Sequence, residues 1–303
     1  MPVLAGTVGE AVAGAVRAGA MVLNLCDGDD INGYPGLSVV TALEAAGLPF
    51  TGADSRFYAL STSKIAMKQR FLAAGVPTSP WAVIDDIEAD IGRAAEEIGL
   101  PLFIKPDISF GSAGISSASV VADIASGVER VRRLLSGMHG CHFEPGAIFA
   151  ERFLPGREFT VLVVDGPEGV LAFPGERQFH PGLAAHDRIL TFERHSGDFV
   201  DDAPPPDDQP SFTYVAVDDG TAASLSALAI AAYAAVDGNG YARVDLKEGV
   251  GGAVMVLEVN ANCGLGTGAL SSAGQLLGLA GRDMMYLLPL LLDHAGHRNQ
   301  GIS

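Results

Sequence analysis

The arrangement of apolar and polar residues divides the chain into alternating strand-like and helix-like segments. Short apolar runs predict buried strands, and longer segments with apolar residues on one helical face predict amphipathic helices. The predicted strands are 20–25, 48–53, 100–105, 119–121, 148–153, 158–165, 241–247 and 253–260. The predicted helices are 8–19, 36–46, 59–74, 85–99, 123–136 and 218–236, with two more after residue 266. This alternation, with one hairpin-like pair late in the chain, predicts layers of α/β or α+β type.

One long segment interrupts the alternation. Residues 174–215 are rich in Pro, Asp and His and show no clear period. A segment of this length inside a compact domain is usually a functional loop or a lid. We therefore expect this part of the chain to cover a binding site.

Composition and charge narrow the class of protein. Hydrophobic residues make up 48% of the 303 residues, which predicts a globular protein with sizeable cores. The net charge is −17, from 19 Lys and Arg against 36 Asp and Glu. Nucleic acids and anionic membranes require clustered cations, so this balance argues against both as partners and favours small molecules.

The sequence also predicts the compartment. The three cysteines are odd in number and form no CxxC pair, which favours reduced thiols. The first 25 residues lack a basic leader and are interrupted by Glu10 and Arg17, unlike a signal peptide. The late apolar run 284–292 is too short to span a bilayer and contains Pro289. We therefore expect a cytoplasmic protein.

Two pairs of polar residues lie in the last predicted strands. Arg243 and Asp245 are two positions apart, as are Glu258 and Asn260, so each pair shares one face of its strand. Antiparallel pairing through the turn KEGVGG would bring Asp245 beside Glu258 and Asn260. Carboxylate and amide oxygens suit Mg²⁺, and Arg243 could hold a developing anion. A salt-bridged strand pair is the alternative, and spacing by itself leaves both interpretations open.

A glycine-containing loop follows a lysine in the middle of the chain. Lys105 ends an apolar strand, and Gly111, Ser112 and Gly114 follow in the stretch DISFGSAGIS. Small residues let backbone N–H groups approach phosphate oxygens, and the lysine adds a positive charge. Because the loop differs from the Walker pattern, an ordinary hairpin turn remains the alternative.

Taken together, five motifs resemble those of the ATP-grasp enzymes, most closely the D-alanine–D-alanine ligase family. They are STSK (61–64), FIKP (103–106), AERFLPGREFTV (150–161), ARVD (242–245) and LEVNANCGLG (257–266). The resemblance runs from near Gly33 to about His297. It implies an α/β (α+β) ATP-grasp fold. The implied parts are a shortened or truncated N-terminal α/β domain (1–60), a central subdomain (61–155) and a C-terminal catalytic domain (156–303) with a mobile loop at 176–215.

The resemblance also implies a set of functional residues. By the match of motifs, the catalytic groups would be Arg243, the Gly264 backbone and Lys105. Two Mg²⁺ ions, with Mn²⁺ as an alternative, would be held by Asp245, Glu258 and Asn260. ATP would be bound by Lys64, Lys105, Gly111, Ser112, Glu151, Arg152, Phe153, Leu154 and Glu158, with the lysines on the phosphates, 151–154 along the adenine and Glu158 on the ribose. Weaker matches to substrate-binding positions are Arg194, His195, Gly268 and Ala269.

The implied activity is the ATP-dependent ligation of a carboxylate to an amine through an acyl phosphate. Two departures from the family redirect the expected substrates. No strand plainly precedes helix 8–19, and glycine or alanine (268, 269) stands where the family has a serine for the acceptor carboxylate, although Ser271 and Ser272 lie close by. We therefore expect amino acids other than D-alanine, as in natural-product or dipeptide biosynthesis. The alternatives are a D-alanine–D-alanine ligase of cell-wall synthesis and a non-catalytic ATP-binding module, and a homodimer is compatible with each.

Three smaller features have both a chemical and a structural interpretation. Arg194 and His195 are either substrate contacts or surface charges of a loop. Cys263 lies in the glycine turn without a fixed His–acid pair, which favours a small packed residue over a nucleophile. His139 and His142 could ligate a metal, but a loop pair without further ligands usually has no such role.

Overall fold

The computed structural model describes residues 5–28, 30, 33–197, 202, 204, 209–268 and 271–300. The helices are α1 (Val8–Ala18), α2 (Leu37–Ala45), α3 (Ser55–Thr62), α4 (Lys64–Ala73), α5 (Ile87–Glu97), α6 (Ile124–Leu135), α7 (Phe192–Ser196), α8 (Asp219–Ala235), α9 (Ser272–Leu279) and α10 (Met284–Gln300). The strands are β1 (Trp81–Val83), β2 (Leu102–Pro106), β3 (Val120–Val121), β4 (Ile148–Arg152), β5 (Glu158–Gly166), β6 (Gly169–Phe179), β7 (Phe212–Val215), β8 (Tyr241–Glu248) and β9 (Val254–Ala261). Within these residues no helix is long and apolar enough to cross a membrane.

A small antiparallel sheet has the strand order β1-β4-β2-β3. Helices α5 and α6 pack against it, and each begins at an aspartate whose side chain accepts a backbone hydrogen bond, Asp86 for α5 and Asp123 for α6. Ile104 of β2 points into the core with these helices. Because side chains alternate along a strand, Lys105 and Phe103 lie on the opposite face, where a cavity begins.

A large antiparallel sheet has the order β7-β6-β5-β8-β9. Its central strand, β5, is buried on both faces, which explains its nearly continuous apolar sequence. Phe159, Val161 and Val163 face the core that includes residues of α2, α3, α4 and α8. Leu162 and Val164 face the core formed with α9 and α10. The β5 strand therefore joins two hydrophobic cores into one scaffold.

The pairing of β8 with β9 follows the sequence prediction. Asp245 is opposite Glu258, and Arg243 is opposite Asn260. A register shift follows immediately between Asp245 and Leu246. Such an irregularity locally re-aims side chains near a strand end. The four polar residues therefore lie together on one face of the large sheet.

The predicted helix 59–74 is wrong in its continuity, because the structure has two helices that meet at Ser63. Ser63 is extended, and its side chain accepts a hydrogen bond from the Ala66 backbone, so it caps the start of α4. The Ser63 hydroxyl also donates to the carboxylate of Asp107, 2.9 Å away. This break puts Lys64 at the beginning of α4, beside the loop that follows β2.

The segment 174–215 is more regular than its composition predicts. Strand β6 continues to Phe179, β7 pairs with it, and the short helix α7 lies between them. The N-terminal region is less regular than predicted. Of the expected strands 20–25 and 48–53, the described residues retain a single parallel bridge between Val22 and Phe50.

Candidate active site

A cavity of about 410 Å³ lies between the two sheets, a size that suits a small-molecule ligand. The predicted residues that line it are Lys64, Lys105, Gly111, Ser112, Glu151, Arg152, Phe153, Leu154, Glu158, His195, Arg243, Asp245, Glu258, Asn260 and Gly264. Of the predicted residues that the structure describes, Arg194 and Gly268 lie outside this lining. Ala269 lies outside the described residues. The tertiary structure thus brings residues from five distant motifs to one site.

The acidic group of the site is formed by Asp245, Glu258 and Asn260. The Asn260 amide lies 3.2 Å from Asp245 Oδ2 and 3.3 Å from Glu258 Oε1. Asp245 is fixed from two further sides. Thr160 donates a hydrogen bond of 3.0 Å to its Oδ1, and Arg243 lies 2.9 Å from its Oδ2. Three oxygen-bearing side chains are therefore held within contact of one another.

The chemistry of this group fits a hard divalent cation. Burial opposes ionisation of Glu258, but the charges of Lys64, Lys105 and Arg243 hold its pKa at about 2. The carboxylate is therefore charged at neutral pH and available as a ligand. Within the described ranges no cluster of three His, Cys, Asp or Glu side chains is arranged for a metal ion. Two carboxylates and an amide suit Mg²⁺, since substrate phosphates and water complete its coordination.

Two lysines face the acidic group from the small sheet and α4. Lys64 Nζ lies 3.8 Å from Glu258 Oε2 and also donates to Ser109 Oγ at 3.2 Å. Lys105 Nζ lies 2.7 Å from Glu151 Oε1. Burial lowers the pKa of Lys64, and the neighbouring carboxylates partly restore it. Both ammonium groups border the cavity, so phosphate oxygens there could take the place of the Glu258 and Glu151 carboxylates as their partners.

A third lysine, Lys68, was missed by the sequence interpretation. Its side chain is fully buried, and its Nζ lies 2.6 Å from Glu151 Oε2 and donates to Thr78 Oγ1 at 2.9 Å. Lys68 follows Lys64 by one helical turn on α4, so the i, i+4 spacing was the available signal. Glu151 is thus held between two lysines. Although its burial opposes ionisation, both lysines lower its pKa.

A second buried charge network surrounds Glu158. Its carboxylate is paired with Arg177 of β6 and with Lys247, whose Nζ lies 2.8 Å from Oε2. Arg177 Nη2 also donates to the Tyr214 hydroxyl at 2.8 Å and lies 3.5 Å from Asp245 Oδ1. Arg177 was not predicted as a site residue, because the sequence around it matches none of the five motifs. It connects the Glu158 side of the cavity to the acidic group.

Arg243 and Gly264 also line the cavity. Burial disfavours the Arg243 cation, but Asp245 raises the pKa of its guanidinium, so it stays charged. Cys263, next to Gly264, is buried, and burial raises the pKa of its thiol to about 12. Such a thiol is a poor nucleophile, which agrees with its interpretation as a packed residue.

The loop after β2 adopts the conformations for which glycine is suited. Gly111 and Gly114 have φ of 56° and 77°, and Ser112 between them has φ of 63°. The Gly114 N–H donates to His139 Nδ1 at 3.0 Å, and the His139 ring stacks on Phe192 of α7 at 4.1 Å. His139 therefore connects this loop to α7.

Helix α7 brings one of its two predicted residues to the cavity. His195 lines the site, and a Cβ atom added at Gly111 would be 3.7 Å from its ring. Arg194 is buried, and its guanidinium donates to the carbonyls of Asp187 and Ile189. The structure gives Arg194 a role in holding the chain before α7 rather than a place at the cavity.

The end of the site near α9 contains two serines in place of the predicted Gly268. Ser271 and Ser272 both line the cavity. Ser271 caps α9 through the Gly274 N–H, and Ser272 Oγ accepts a hydrogen bond from the Tyr214 hydroxyl at 3.2 Å. Asp27 and Tyr58, from the N-terminal region, also line the cavity and were not predicted.

Comparison with known proteins relates most of the chain to one family. Residues 71–291 match a family model described as D-ala D-ala ligase C-terminus. The chain is 27% identical over 269 residues to the D-alanine–D-alanine ligase of Xylella fastidiosa, covering 88% of this chain and 79% of that protein. It is 30% identical over 263 residues to the D-alanine–D-alanine ligase of Mycolicibacterium vanbaalenii, covering 86% of this chain and 66% of that protein.

Two solved structures resemble the fold. The D-alanine–D-alanine ligase of Coxiella burnetii matches with a TM-score of 0.65 at 21% identity, covering 87% of this chain and 66% of that chain. The D-alanine–D-alanine ligase of Bacillus anthracis matches with a TM-score of 0.66 at 17% identity, covering 92% and 78%. The three-dimensional likeness confirms the fold expected from the sequence. The chain spans about two thirds to four fifths of the length of these proteins.

Proposed function

Since this chain belongs to the D-alanine–D-alanine ligase family, we propose that it is an ATP- and Mg²⁺-dependent ligase that forms an amide bond between two amino acids. The observation that carries the proposal is the acidic group of Asp245, Glu258 and Asn260, which faces Lys64 and Arg243 in one cavity. Anions, a divalent cation and a developing oxyanion all have a complementary group there. The division into 1–60, 61–155 and 156–303 is part of this proposal, with the small sheet in the second part and the large sheet in the third.

ATP is proposed to lie between the sheets. Lys64 and Lys105 are suited to bind phosphate oxygens, together with backbone N–H groups around Gly111 and Ser112. The segment 151–154 offers an apolar wall to the adenine, since Phe153 and Leu154 are buried and line the cavity. Glu158 borders the same cavity and is the candidate for the ribose hydroxyls, which would compete with its present partners for its oxygens.

The acidic group is proposed to hold Mg²⁺, with Mn²⁺ as an alternative. Asp245, Glu258 and Asn260 would supply oxygen ligands, and two ions are expected from the resemblance to the family. The bound metal would neutralise charge on the transferred phosphoryl group. The chain itself contributes the ionised Glu258, whose low pKa means that no proton has to leave it before a cation binds.

The chemical steps follow from the charges that remain. A substrate carboxylate oxygen attacks the γ-phosphorus of ATP, the bond from that phosphorus to the β-phosphate oxygen breaks, and ADP leaves with the acyl phosphate as the other product. Lys105 and Lys64 balance the charge that develops on the phosphate oxygens. An amine nitrogen then attacks the acyl carbon, and Arg243 with the Gly264 N–H is positioned to stabilise the oxyanion before phosphate leaves. The segment containing α7 and His195 would exclude water, which otherwise hydrolyses the acyl phosphate.

D-alanine is the amino acid that the comparisons favour. The relatives are named D-alanine–D-alanine ligases, which supports the cell-wall alternative better than the expected natural-product ligase. The natural-product ligase was expected because glycine and alanine stand at 268 and 269, where the family has a serine for the acceptor carboxylate. In the structure Gly268 lies outside the cavity lining, whereas Ser271 and Ser272 border it and could hold an acceptor carboxylate.

The experiment is a screen for ADP release and product mass with ATP and Mg²⁺. D-alanine alone should give D-alanyl-D-alanine, and Asp245→Asn and Glu258→Gln should reduce turnover by a factor of about 100 or more while the proteins stay folded. If other amino-acid pairs gave ADP and an amide product but D-alanine did not, the ligase activity would be supported and D-alanine would be rejected as the substrate. Near-normal turnover in both variants would reject the metal assignment. No ADP with any amino acid would favour a non-catalytic ATP-binding module.

A further inference from the structure

His139 belongs to the stretch HGCH (139–142), to which the proposed function gives no role. The structure places it in contact with two segments that border the cavity. Its Nδ1 accepts a hydrogen bond of 3.0 Å from the Gly114 N–H, and its ring stacks on Phe192 at 4.1 Å with 10° between the planes. Because Nδ1 accepts, the imidazole is neutral and carries its hydrogen on Nε2. Nδ1 is therefore not available to a metal ion.

The hydrogen bond from Gly114 fixes the end of the glycine loop. Gly114 is buried with φ of 77°, and a Cβ atom added there would lie 2.7 Å from the nearest side-chain atom, so glycine is required. Its carbonyl accepts a hydrogen bond from the buried guanidinium of Arg130. Both backbone polar groups of Gly114 are thus bonded to side chains. His139 and Arg130 therefore anchor the loop directly after residues 111 and 112, which are proposed to bind phosphate.

Helix α7 is docked on the same stretch of chain. The Phe192 N–H donates to the Ile115 carbonyl at 3.0 Å, and the Phe192 ring covers the ring of His139. One turn further along α7, His195 borders the cavity beside Gly111. The His139 ring therefore connects two parts of the site with different tasks. These are the loop that is proposed to hold the phosphates and the helix that is proposed to exclude water.

We propose that His139 is a positioning residue that couples the docking of α7 to the ordered conformation of the glycine loop. The assignment rests on the proposed function and concerns the fate of its acyl phosphate. The hydrogen bond from Gly114 sets the orientation of the His139 ring, and Phe192 needs that orientation in order to stack. The loop and the helix therefore reach their closed arrangement together. Without the ring, α7 can leave while the loop still holds the phosphates, and water then reaches the acyl phosphate.

The consequence of losing this coupling is a side reaction with defined products. A water oxygen attacks the acyl carbon of the acyl phosphate and gives its proton to solvent. The bond from that carbon to the phosphate oxygen breaks, phosphate leaves, and the free amino acid is regenerated. The net reaction is hydrolysis of ATP to ADP and phosphate. Since amide formation consumes a single ATP for each amide, the ratio of ADP released to amide formed measures the coupling.

The test measures this ratio with ATP, Mg²⁺ and the amino acid that is active in the ADP screen. The wild type should give a ratio of about 1. His139→Asn keeps an acceptor for the Gly114 N–H and suits the φ of 54° at this position, but it removes the ring. Its ratio should rise to about 5 or more. Its KM for ATP should change by less than about 2-fold, because the loop keeps its anchor.

Phe192→Leu removes the same stacking contact from the side of α7 and keeps an apolar side chain. It should raise the ratio to a similar value, about 5 or more. Because the two substitutions remove one shared contact, the double variant should have a ratio within about 2-fold of either single variant. A double variant whose ratio is the product of the two single effects would contradict the shared contact.

His142→Asn is the matched control, because His142 belongs to the same stretch but is exposed. It should keep the wild-type ratio. A merely structural role of His139 would reduce ADP release and amide formation alike and leave their ratio unchanged. That result, or an equal rise of the ratio in His142→Asn, would overturn the assignment while leaving the ligase intact. A wild type that releases no ADP with any amino acid would overturn the proposed function and the assignment together.

Discussion

Replacement of Glu151 by glutamine should destabilise the protein strongly, although the shape of the side chain is almost unchanged. Glu151 is 2% exposed and Lys68 is fully buried. The carboxylate oxygens lie 2.7 Å from Lys105 Nζ and 2.6 Å from Lys68 Nζ. An amide cannot balance either charge, so both ammonium groups would be left in a site of low polarity.

The magnitude follows from the burial of this group. Removing one partner of a buried ion pair costs about 3–5 kcal/mol. For a chain of this size, 1 kcal/mol corresponds to about 2 °C in Tm, so Glu151→Gln should lower Tm by about 6–10 °C. Lys68→Met leaves Glu151 paired with Lys105 and should cost less, about 1–3 kcal/mol for the unsatisfied oxygen. Glu97→Gln, at an exposed position of α5, should change stability by less than about 0.5 kcal/mol.

The pH dependence gives a second check with a defined sign. In the wild type, burial lowers the pKa of Lys68, and Glu151 acts in the opposite direction. Without Glu151 the pKa in the folded state falls further. Between the lowered folded pKa of Lys68 and its unfolded pKa of about 10.4, the unfolded variant then binds more protons than the folded one, so the stability of the variant rises with pH in that window.

Thermal unfolding of the four proteins at about pH 7 and about pH 9.5 tests this reasoning. We expect the deficit of Glu151→Gln to be the largest of the three variants and to shrink at the higher pH. A Glu151→Gln protein within about 1 kcal/mol of the wild type would refute the argument from buried charge. So would a deficit that grows with pH.

Two further predictions concern the nucleotide and the thiol. Lys105→Ala should weaken ATP binding much more than adenosine binding in a calorimetric titration, because its ammonium group is proposed to meet phosphate; an equal loss for both ligands would contradict this position. Cys263, with a pKa of about 12, should resist iodoacetamide in the folded protein at pH 8, where roughly one molecule in 10⁴ carries the thiolate. Peptide mapping that finds Cys263 labelled faster than the half-buried Cys26 would contradict its packed environment.

The sequence by itself determined the metal-binding candidates and the elements that carry them. Arg243 and Asp245, like Glu258 and Asn260, share a face because side chains alternate along a strand, and the turn between the strands fixes their antiparallel pairing. The family motifs were readable for the same reason: each is a short local stretch. The glycine loop after Lys105 was equally local, and the structure adds that Gly111, Ser112 and Gly114 have positive φ.

Local pattern was less reliable where the chain changes direction or where its composition is polar. The predicted helix 59–74 breaks at Ser63, because capping of α4 and a hydrogen bond to Asp107 outweigh continued helical periodicity. The polar segment 174–215 was not predicted to contain strands, because Pro174 and Gly175 obscure the alternation of apolar and polar residues. Pairing with β5 nevertheless stabilises strand β6 there. Helix and strand boundaries depend on these partners, which the local sequence does not specify.

Only the tertiary structure decided which charges lie against one another. Lys68 of α4 pairs with Glu151 of β4, although the two residues are 83 positions apart in the sequence. Arg177 meets Asp245 across the large sheet, and Asp27 reaches Gly264 from the far end of the sequence. Lys68, Arg177 and Asp27 belong to none of the five motifs. The electrostatic energy of a charged side chain depends on its burial and on its distances from other charges. Both are set by segments that are remote in the sequence, whereas a sequence pattern records only the neighbours of a residue along the chain.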